Sequence, residues 1–234
     1  MLEVRGLSAG YDAVPVLRDV SFTVGDGETV AILGPNGHGK TTLLRTISGL
    51  IVPTAGTIAL DGIRLDHRPA DRIVGQGVTH IPQGDLPFPE MTVLENLVLG
   101  AYRRGAWAGR RAAMEQVFAI FPRLRERRGQ LARSLSGGER RMLALGRGLM
   151  TGGTLLMIDE PSLGLSPIAT QEVYETVARI KREGVSILLV EESMAHVPGL
   201  ADRLYLLENG RLIREGSAEE LLADEGLTAA YLGA

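Results

Sequence analysis

The sequence predicts an α/β fold with a mostly parallel sheet, an antiparallel sheet near the N-terminus and an inserted helical segment. Three observations support this prediction. Short apolar runs typical of buried strands alternate with stretches in which apolar residues have helical spacing. Residues 2–4 and 20–24 instead alternate apolar and polar side chains, as half-buried antiparallel strands do. Finally, Pro82, Pro87 and Pro89 interrupt the pattern, and helical spacing dominates the stretch that follows.

Length and composition limit the possible functions. The 234 residues suffice for one large domain with a well-buried core. The chain has no cysteine and therefore no disulfide or thiolate metal site, as fits a reducing compartment. Its formal net charge of −3 gives no electrostatic reason to expect a nucleic acid partner. Because no apolar run approaches the roughly 18 residues that cross a bilayer, and no signal peptide is evident, we expect a soluble protein.

The N-terminal segments favour an antiparallel sheet. Apolar and polar residues alternate at positions 2–4 and 20–24, as in strands with one buried face. Tyr11 lies between them in a predicted loop. Its ring could stack on a nucleotide base, although taken alone it is better explained as an ordinary loop tyrosine. The turn at 25–27 leads into the apolar run 30–33, which is typical of a buried parallel strand.

The loop after this strand predicts a polyphosphate site. It fits the pattern G-x-x-x-x-G-K-[ST] and joins the strand to a helix over residues 42–47. In such a loop, glycines let backbone N–H groups surround phosphates, and the helix N-terminus adds its positive dipole end. Lysine supplies a charge and threonine a hydroxyl for Mg²⁺. The flanking strand and helix argue against a chance glycine-rich turn. The predicted site consists of Gly34, Pro35, Asn36, Gly37, His38, Gly39, Lys40, Thr41 and Thr42.

The inserted segment is predicted to be helical. Strands are expected at 57–60 and 77–81, and a capping box at 92–95 then opens a helix. Residues 112–121 have an amphipathic pattern that Pro122 is expected to end. The arginine-rich stretch 123–133 is best explained as a solvated face, with a phosphate or an acidic partner as the alternative.

Two further motifs combine a structural explanation with a functional one. Ser136 and Glu139 fit a capping box, while the intervening Gly137 and Gly138 leave the first-turn N–H groups uncovered, so the same helix end could receive a phosphate. The apolar strand that begins at Leu155 ends in Asp159 and Glu160, an arrangement suited to a metal-binding aspartate and an adjacent base. A strand-terminal acidic pair is weak evidence by itself.

The C-terminal third continues the α/β alternation. We expect a helix over 167–181, a fully apolar strand over 186–190, and a hairpin over 203–213 with a turn at Asn209-Gly210. Residues 217–220 are expected to cap a short last helix.

In this order, the motifs resemble the ATP-binding-cassette (ABC) ATPase family over nearly the whole chain. The resemblance implies a single domain, 1–234, with a RecA-like P-loop NTPase core. Residues 1–84 and 151–234 would form the core with its antiparallel part, and residues 85–150, approximately, would form the helical subdomain with the signature motif. The residues that carry the resemblance are Tyr11, Gly34 to Thr42, Gln83, Leu135 to Glu139, Asp159, Glu160 and Ser162 to Leu165.

The resemblance implies a role for each motif in ATP hydrolysis. Tyr11 would stack on adenine, and Lys40 with the loop amides would hold the β- and γ-phosphates. Mg²⁺ would lie among Thr41, Gln83 and Asp159. Glu160 would orient the attacking water.

Partners also follow from the resemblance. A second ATPase subunit, either an identical chain or a paralogue, would place its Ser136, Gly137 and Gly138 over the bound ATP, so that association depends on the γ-phosphate. Gln83 and the loop 84–90 would face integral-membrane permease subunits. The chain would therefore lie peripherally on the cytoplasmic face of the cell membrane.

Residues 160–167, 201–203 and 207–211 are similar to the second ATPase subunit of branched-chain amino-acid importers, and the urea importer subunit is almost as similar. Because other subunits choose the cargo in such systems, this chain carries little information about it. Two alternatives remain open. Residues 138–141 favour a lipid-exporter ATPase, and a non-transport regulatory switch would bind ATP without driving a permease.

Two positions depart from the family pattern. Glu192 stands where many of these ATPases have a histidine that contacts the γ-phosphate, and a carboxylate there would repel phosphate oxygens by about 1 to 4 kcal/mol. Glu192 must turn away, become protonated or slow hydrolysis. His38 stands where a small residue is usual, and we expect a solvent-facing imidazole rather than a phosphate contact. Trp107 is equally explained by docking of a membrane subunit and by ordinary packing.

Overall fold

The computed structural model describes residues 1–12, 14–84 and 87–222. Within these residues the strands are β1 (Leu2–Tyr11), β2 (Val14–Val24), β3 (Thr29–Leu33), β4 (Ala55–Leu60), β5 (Ile63–Arg64), β6 (Val78–Ile81), β7 (Leu155–Asp159), β8 (Ser186–Glu191), β9 (Arg203–Glu208) and β10 (Arg211–Gly216). The helices are α1 (Lys40–Ile47), α2 (Ala70–Gly75), α3 (Val93–Gly100), α4 (Arg104–Ile120), α5 (Pro122–Glu126), α6 (Gly137–Leu149), α7 (Pro167–Arg182) and α8 (Ala218–Leu222), with a 3₁₀ turn at Ala132–Ser134.

Two sheets form the fold, as the sequence predicts. The six-stranded sheet has the order β10-β9-β3-β8-β7-β6, and all its neighbouring strands are parallel except β9 and β10. The four-stranded antiparallel sheet has the order β2-β1-β4-β5. Because β3, β8, β7 and β6 are parallel neighbours, their carboxyl ends meet at one edge of the sheet, which is where ligands bind in α/β folds of this kind.

The parallel sheet separates two apolar cores. Val30 and Ile32 of β3 join a core with the antiparallel sheet and α1, while Ala31 and Leu33 join a second core with helices α3 to α7. This division follows from the period of two along a strand. Every residue of β3 is buried, which explains why its sequence is a continuous apolar run and not an alternating one.

The helical segment differs from expectation at Pro122. Helix α4 ends at Ile120, and Pro122 begins the short helix α5 instead of only terminating a helix. Proline is tolerated at a first helical position, because the N–H that it lacks has no partner within the helix there. The arginines beyond it lie partly on a solvated face and partly in ion pairs, such as Arg127 with Glu139 at 2.9 Å and Arg133 with Glu90 at 3.3 Å.

Tyr11 was wrongly expected in a loop, because it is the last residue of β1 and pairs with Val14 at the start of β2. The other predicted boundaries are close. The capping boxes at Thr92 and Ser136 are both formed, and Ser217 and Glu220 exchange the same pair of hydrogen bonds before α8. Helix α2 and the two-residue strand β5 were not predicted, because each is too short to show a period. None of the helices in the described part of the chain is long and apolar enough to cross a membrane.

Candidate active site

The phosphate loop is shaped by close packing behind it. It runs from the end of β3 to Gly39, which precedes α1 with a φ of 110°, a conformation that favours glycine. A Cβ on Gly34 would lie 2.2 Å from the carbonyl oxygen of Leu207 in β9, so only glycine fits there. No side chain caps α1, and its first turn has no acidic residue. The N–H groups at this helix end therefore have no capping side chain and no acidic residue of the helix itself to compete with a ligand.

Lys40 is buried and makes three contacts. Its Nζ donates to the carbonyl oxygens of Gly34 at 2.6 Å and Pro35 at 3.2 Å, and forms an ion pair with Glu160 Oε1 at 3.0 Å. Both side chains of the ion pair are almost fully excluded from solvent. The structure thus links the phosphate-loop lysine directly to the strand-end carboxylate that sequence analysis selects as the catalytic base.

Asp159 has one oxygen that is occupied and one that is not. Thr41 Oγ1 donates to Asp159 Oδ1 at 3.3 Å, whereas Oδ2 is buried without a hydrogen-bond partner among the described residues. Burial raises the pKa of Asp159. A buried, unpaired carboxylate oxygen beside a threonine hydroxyl fits a hard divalent cation. No group of three His, Cys, Asp or Glu side chains suited to a metal occurs in the described ranges, so ligands from outside the protein, such as phosphate oxygens and water, would complete such a site.

Glu160 follows β7 in a left-handed conformation, with a φ of 44°. Gln83 Nε2 donates to its Oε2 at 2.6 Å, so Lys40 and Gln83 together occupy both carboxylate oxygens. Gln83 was expected beside Asp159 and Thr41, but its amide donor points to Glu160. These side chains face a cavity of about 200 Å³, which is lined by Asn36, Gly37, Gly39, Lys40, Thr41, Thr42, Gln83 and Glu160.

Neither of the two unusual residues, Glu192 and His38, lines this cavity. Glu192 Oε2 accepts a hydrogen bond from Asn36 Nδ2 at 2.9 Å, so its carboxylate lies against the rim of the phosphate loop. The imidazole of His38, expected to face solvent, is only partly exposed. Its Nδ1 accepts the backbone N–H of Asn209 at 3.2 Å, while Gly210 N donates to the His38 carbonyl at 3.1 Å. The β9–β10 turn thus fastens the outer side of the loop.

The remaining predicted residues lie outside the cavity lining. Tyr11 is exposed, and its hydroxyl accepts a hydrogen bond from Arg45 Nη1 of α1 at 3.2 Å. Ser136, Gly137 and Gly138 form the start of α6, where Ser136 Oγ accepts from Glu139 N at 3.3 Å. Part of the loop 84–90 lies outside the described residues. Trp107 is exposed beneath the Arg110 guanidinium, which lies 4.0 Å from the ring centre.

Two charged residues lie beside the site in positions that were not predicted from the sequence. Arg141 is fully buried within α6 and donates to the carbonyl oxygens of Gly84 at 2.9 Å and Glu160 at 3.4 Å. Glu191 ends β8 and is buried against Tyr174. The sequence did contain a signal that Glu191 is buried. A carboxylate that directly continues a fully apolar strand is rarely exposed to solvent on both faces of the sheet.

A phosphate loop between a central parallel strand and a helix, facing carboxylates at the end of β7, one strand beyond the neighbouring β8, defines a P-loop nucleotide-binding domain. The ABC transporter family model matches residues 17–163. Among relatives, the branched-chain amino acid transport ATP-binding protein BraG of Pseudomonas aeruginosa is 40% identical, with all of both chains covered. LivF of Archaeoglobus fulgidus, a probable protein of the same description, is 34% identical over 100% of this chain and 99% of its own.

A solved structure agrees with these matches. The ADP conformation of an ATP-binding cassette of an ABC transporter superposes with a TM-score of 0.86 at 27% identity, covering 100% of this chain and 99% of the other. The chain belongs to the ABC transporter family. It is an ATP-binding, ATP-hydrolysing subunit that powers a membrane permease.

Proposed function

We propose that this subunit drives the import of branched-chain or related amino acids. Relatives with that description are 40% and 34% identical over the whole chain, whereas the lipopolysaccharide export ATP-binding protein LptB of Haemophilus influenzae is 30% identical, which favours this cargo over the lipid-exporter alternative. The subunit would lie peripherally on the cytoplasmic face of the membrane, held by its permease.

Uptake by the reconstituted transporter tests the cargo. The permease that copurifies with this chain would be placed in vesicles with ATP on the side of this subunit, and radiolabelled leucine, urea and a lipid would be compared. We expect ATP-dependent leucine uptake. Transport of only the lipid, or no copurifying permease, would contradict the proposal.

For the chemistry, the buried ion pair between Lys40 and Glu160 is the observation that carries our assignment. We propose that the β- and γ-phosphates of ATP replace Glu160 as the partner of Lys40, which releases the carboxylate to orient the attacking water. Thr41, Asp159 and Gln83 would hold Mg²⁺, which neutralises phosphate charge when bound. Gln83 would thereby exchange its present partner, Glu160, for the cation.

Glu160→Gln tests this assignment. The variant should bind MgATP with nearly wild-type affinity and hydrolyse it at least about 100-fold more slowly, because an amide cannot accept the proton of the water. Binding would be measured with a fluorescent ATP analogue, and hydrolysis by phosphate release.

Glu183→Gln is the matched control, because this exposed carboxylate lies at the end of α7. It should leave both quantities unchanged. Robust turnover by Glu160→Gln would defeat the assignment of the base.

We also propose the contacts that complete the site. Tyr11 would stack on adenine, the loop amides from Gly34 to Thr42 would surround the phosphates, and Ser136, Gly137 and Gly138 of a second subunit, identical or paralogous, would cover the ATP. The division into a core of 1–84 and 151–234 and a helical subdomain of about 85–150 is part of this proposal, because it places the signature motif on a unit that can face the partner's nucleotide.

We propose that the permease docks in a groove between the strand end at Ile81 and helices α3 and α6. The groove has a volume of about 350 Å³, and its rim exposes Phe88, Leu99 and Tyr102. Exposed aromatic side chains around a concave surface are typical of protein interfaces. Two buried nitrogens of side chains that line the groove, Arg147 Nη1 and His80 Nε2, lack hydrogen-bond partners among the described residues. Because both atoms are shielded from solvent, oxygens of a permease segment would reach them only after the lining side chains move.

A further inference from the structure

A buried carboxylate next to the candidate active site has no role in the chemistry described so far. Glu191, the last residue of β8, is 4% exposed. Its Oε1 accepts hydrogen bonds from the Tyr174 hydroxyl and from Ser162 Oγ, the latter at 3.3 Å, and its Oε2 accepts from the backbone N–H of Glu192 at 3.3 Å. The Tyr174 ring in turn stacks on His196 with 4.7 Å between ring centres. Glu191 therefore joins α7, the end of β8 and the segment after β7.

Such a carboxylate is unfavourable unless its surroundings compensate. Burial raises the pKa of Glu191, with the charge of Glu160 acting in the same direction, whereas the donors from Tyr174, Glu192 and Ser162 oppose the shift. All three contacts are donated to the carboxylate, so the cluster is organised around an acceptor. An apolar side chain at this position would close the core without any of these contacts, which indicates that the polar cluster serves a purpose beyond packing.

The contact with Ser162 reaches the turn that presents Glu160. This turn is held by the N–H of Leu163 donating to the Glu160 carbonyl at 3.3 Å and the N–H of Leu165 donating to the Ser162 carbonyl at 3.1 Å. Glu160 has its uncommon left-handed backbone conformation at the start of the turn. Leu163 is 49% exposed, so its side chain adds little apolar anchoring. The Ser162 hydroxyl is the side-chain link from this turn to the buried cluster.

We propose that Glu191 is a positioning residue for ATP hydrolysis, which acts through the Ser162 hydroxyl to fix the turn that orients Glu160. Through its second oxygen, Glu191 also fixes the backbone at Glu192, the residue that faces the rim of the phosphate loop. The inference rests on the proposed role of Glu160 as the base. One buried side chain, Glu191, would thus align two segments near the nucleotide: the turn after β7, through Ser162, and the backbone after β8, at Glu192.

Removing and restoring the hydroxyl of Ser162 tests the proposal. Ser162→Ala should lower kcat about 5- to 20-fold, because a small displacement of a catalytic group is enough for such a loss. KM and the affinity for a non-hydrolysable ATP analogue should change less than about twofold, since neither depends on the orientation of Glu160. Ser162→Thr keeps the hydroxyl and should recover most of kcat.

Ser21→Ala is the matched control. The Ser21 hydroxyl also takes part in a hydrogen bond, which it accepts from Gly6 N, but it lies in the antiparallel sheet. It should leave kcat unchanged. A Ser162→Ala variant with wild-type kcat, or a Ser162→Thr variant as slow as Ser162→Ala, would overturn the proposal.

A double-mutant cycle identifies Glu191 as the partner. Glu191→Leu removes the acceptor, and adding Ser162→Ala to it should lower kcat by less than about twofold further, because the interaction is already lost. Additive losses would overturn the role of Glu191. If Glu191→Leu does not fold, Glu191→Met, whose unbranched side chain also lacks the acceptor, replaces it in the same cycle. Glu160→Gln, measured in parallel, separates the two proposals: its full activity would remove the base itself, whereas an inactive Glu160→Gln beside a fully active Ser162→Ala would remove only the positioning role.

Discussion

The N-termini of α1 and α6 are built in opposite ways. Helix α1 begins after Gly39 with no side-chain cap and no acidic residue in its first turn, so its N–H groups are open toward the phosphate loop. Helix α6 begins at a complete capping box, in which Ser136 Oγ accepts from Glu139 N and Glu139 Oε2 accepts from Ser136 N. One helix end is prepared for an external anion, whereas the other is already satisfied by its own carboxylate.

The two helix ends therefore depend on nucleotide in different ways. The open end of α1 leaves donors that gain partners only when phosphates arrive, so its interaction with ATP is expected to be strong. The closed end of α6 needs no ligand to be stable. ATP on a second subunit can bind it only through N–H groups outside the capping box, or through groups whose capping hydrogen bonds break. Binding by one chain and closure by two chains should therefore respond to different mutations.

The largest expected effect concerns the open end. Lys40→Met should weaken ATP binding by a single chain about 10- to 100-fold, because it removes a charge-assisted contact to the phosphates. Isothermal titration calorimetry would measure the dissociation constant. Lys181→Met is the control. Lys181 lies on α7, and its Nζ forms an ion pair with Asp202 at 2.7 Å. Wild-type affinity in Lys40→Met would mean that the loop does not hold phosphates in the proposed way.

The opposite end of α1 is expected to respond to pH. His80 Nδ1 lies 3.2 Å from the hydroxyl of Ser48, the residue that ends α1, and burial, assisted by the charge of Arg45, lowers the pKa of His80 to about 4. As the pH falls from 6.5 to 4, His80 therefore binds a proton in the unfolded chain but not in the folded chain. Stability should fall as pH decreases through this window, by about 1 to 3 kcal/mol in total.

Urea unfolding at several pH values would measure this dependence. His80→Asn should flatten the profile between pH 6.5 and 4, whereas His67→Asn should not, because His67 is exposed and its φ of 62° suits asparagine. An unchanged slope in His80→Asn would show that other groups cause the pH dependence.

The closed end should show a smaller effect on folding and a separate effect on pairing. Ser136→Ala should destabilise the fold by about 1 kcal/mol through loss of the cap. In a Glu160→Gln background it should also weaken ATP-dependent dimerisation, measured by analytical ultracentrifugation, without changing ATP affinity of the single chain. Ser136→Thr retains the cap and serves as the control. Reduced ATP affinity of the single chain in Ser136→Ala would contradict the distinction between the two ends.

The smallest effect is expected at the rim of the open end. Glu192→Gln removes a negative charge near the phosphates but keeps an oxygen that can accept from Asn36, so we expect hydrolysis to rise about two- to tenfold. Phosphate release at saturating MgATP would measure the rate. Glu183→Gln is again the matched control, and equal turnover of Glu192→Gln and the wild type would remove the idea that this charge slows the enzyme.

Much of this architecture could be predicted from short-range patterns. Three kinds of feature depend on residues close together in the chain, where periodicity and backbone preferences are informative. They are the phosphate loop, the buried strands β3, β7 and β8, and the capping boxes at Thr92 and Ser136. The ion pair of Lys40 with Glu160 was not predictable in detail, because it joins residues 120 positions apart whose side chains meet only when β3 and β7 are placed on either side of β8. For the same reason, the contacts of Glu191, the neighbour of Glu192, were not predicted from the sequence.

The amino-acid sequence alone determined where phosphates can be surrounded, which strands are buried and which chemical groups stand at their ends, because each of these is written in local spacing and residue type. Only the tertiary structure decided that His38 faces Asn209, that Gln83 reaches Glu160 and that Glu191 is buried against Tyr174 and Ser162. Side-chain partners at a sheet edge depend on strand order and register, and these arise from the packing of the whole chain.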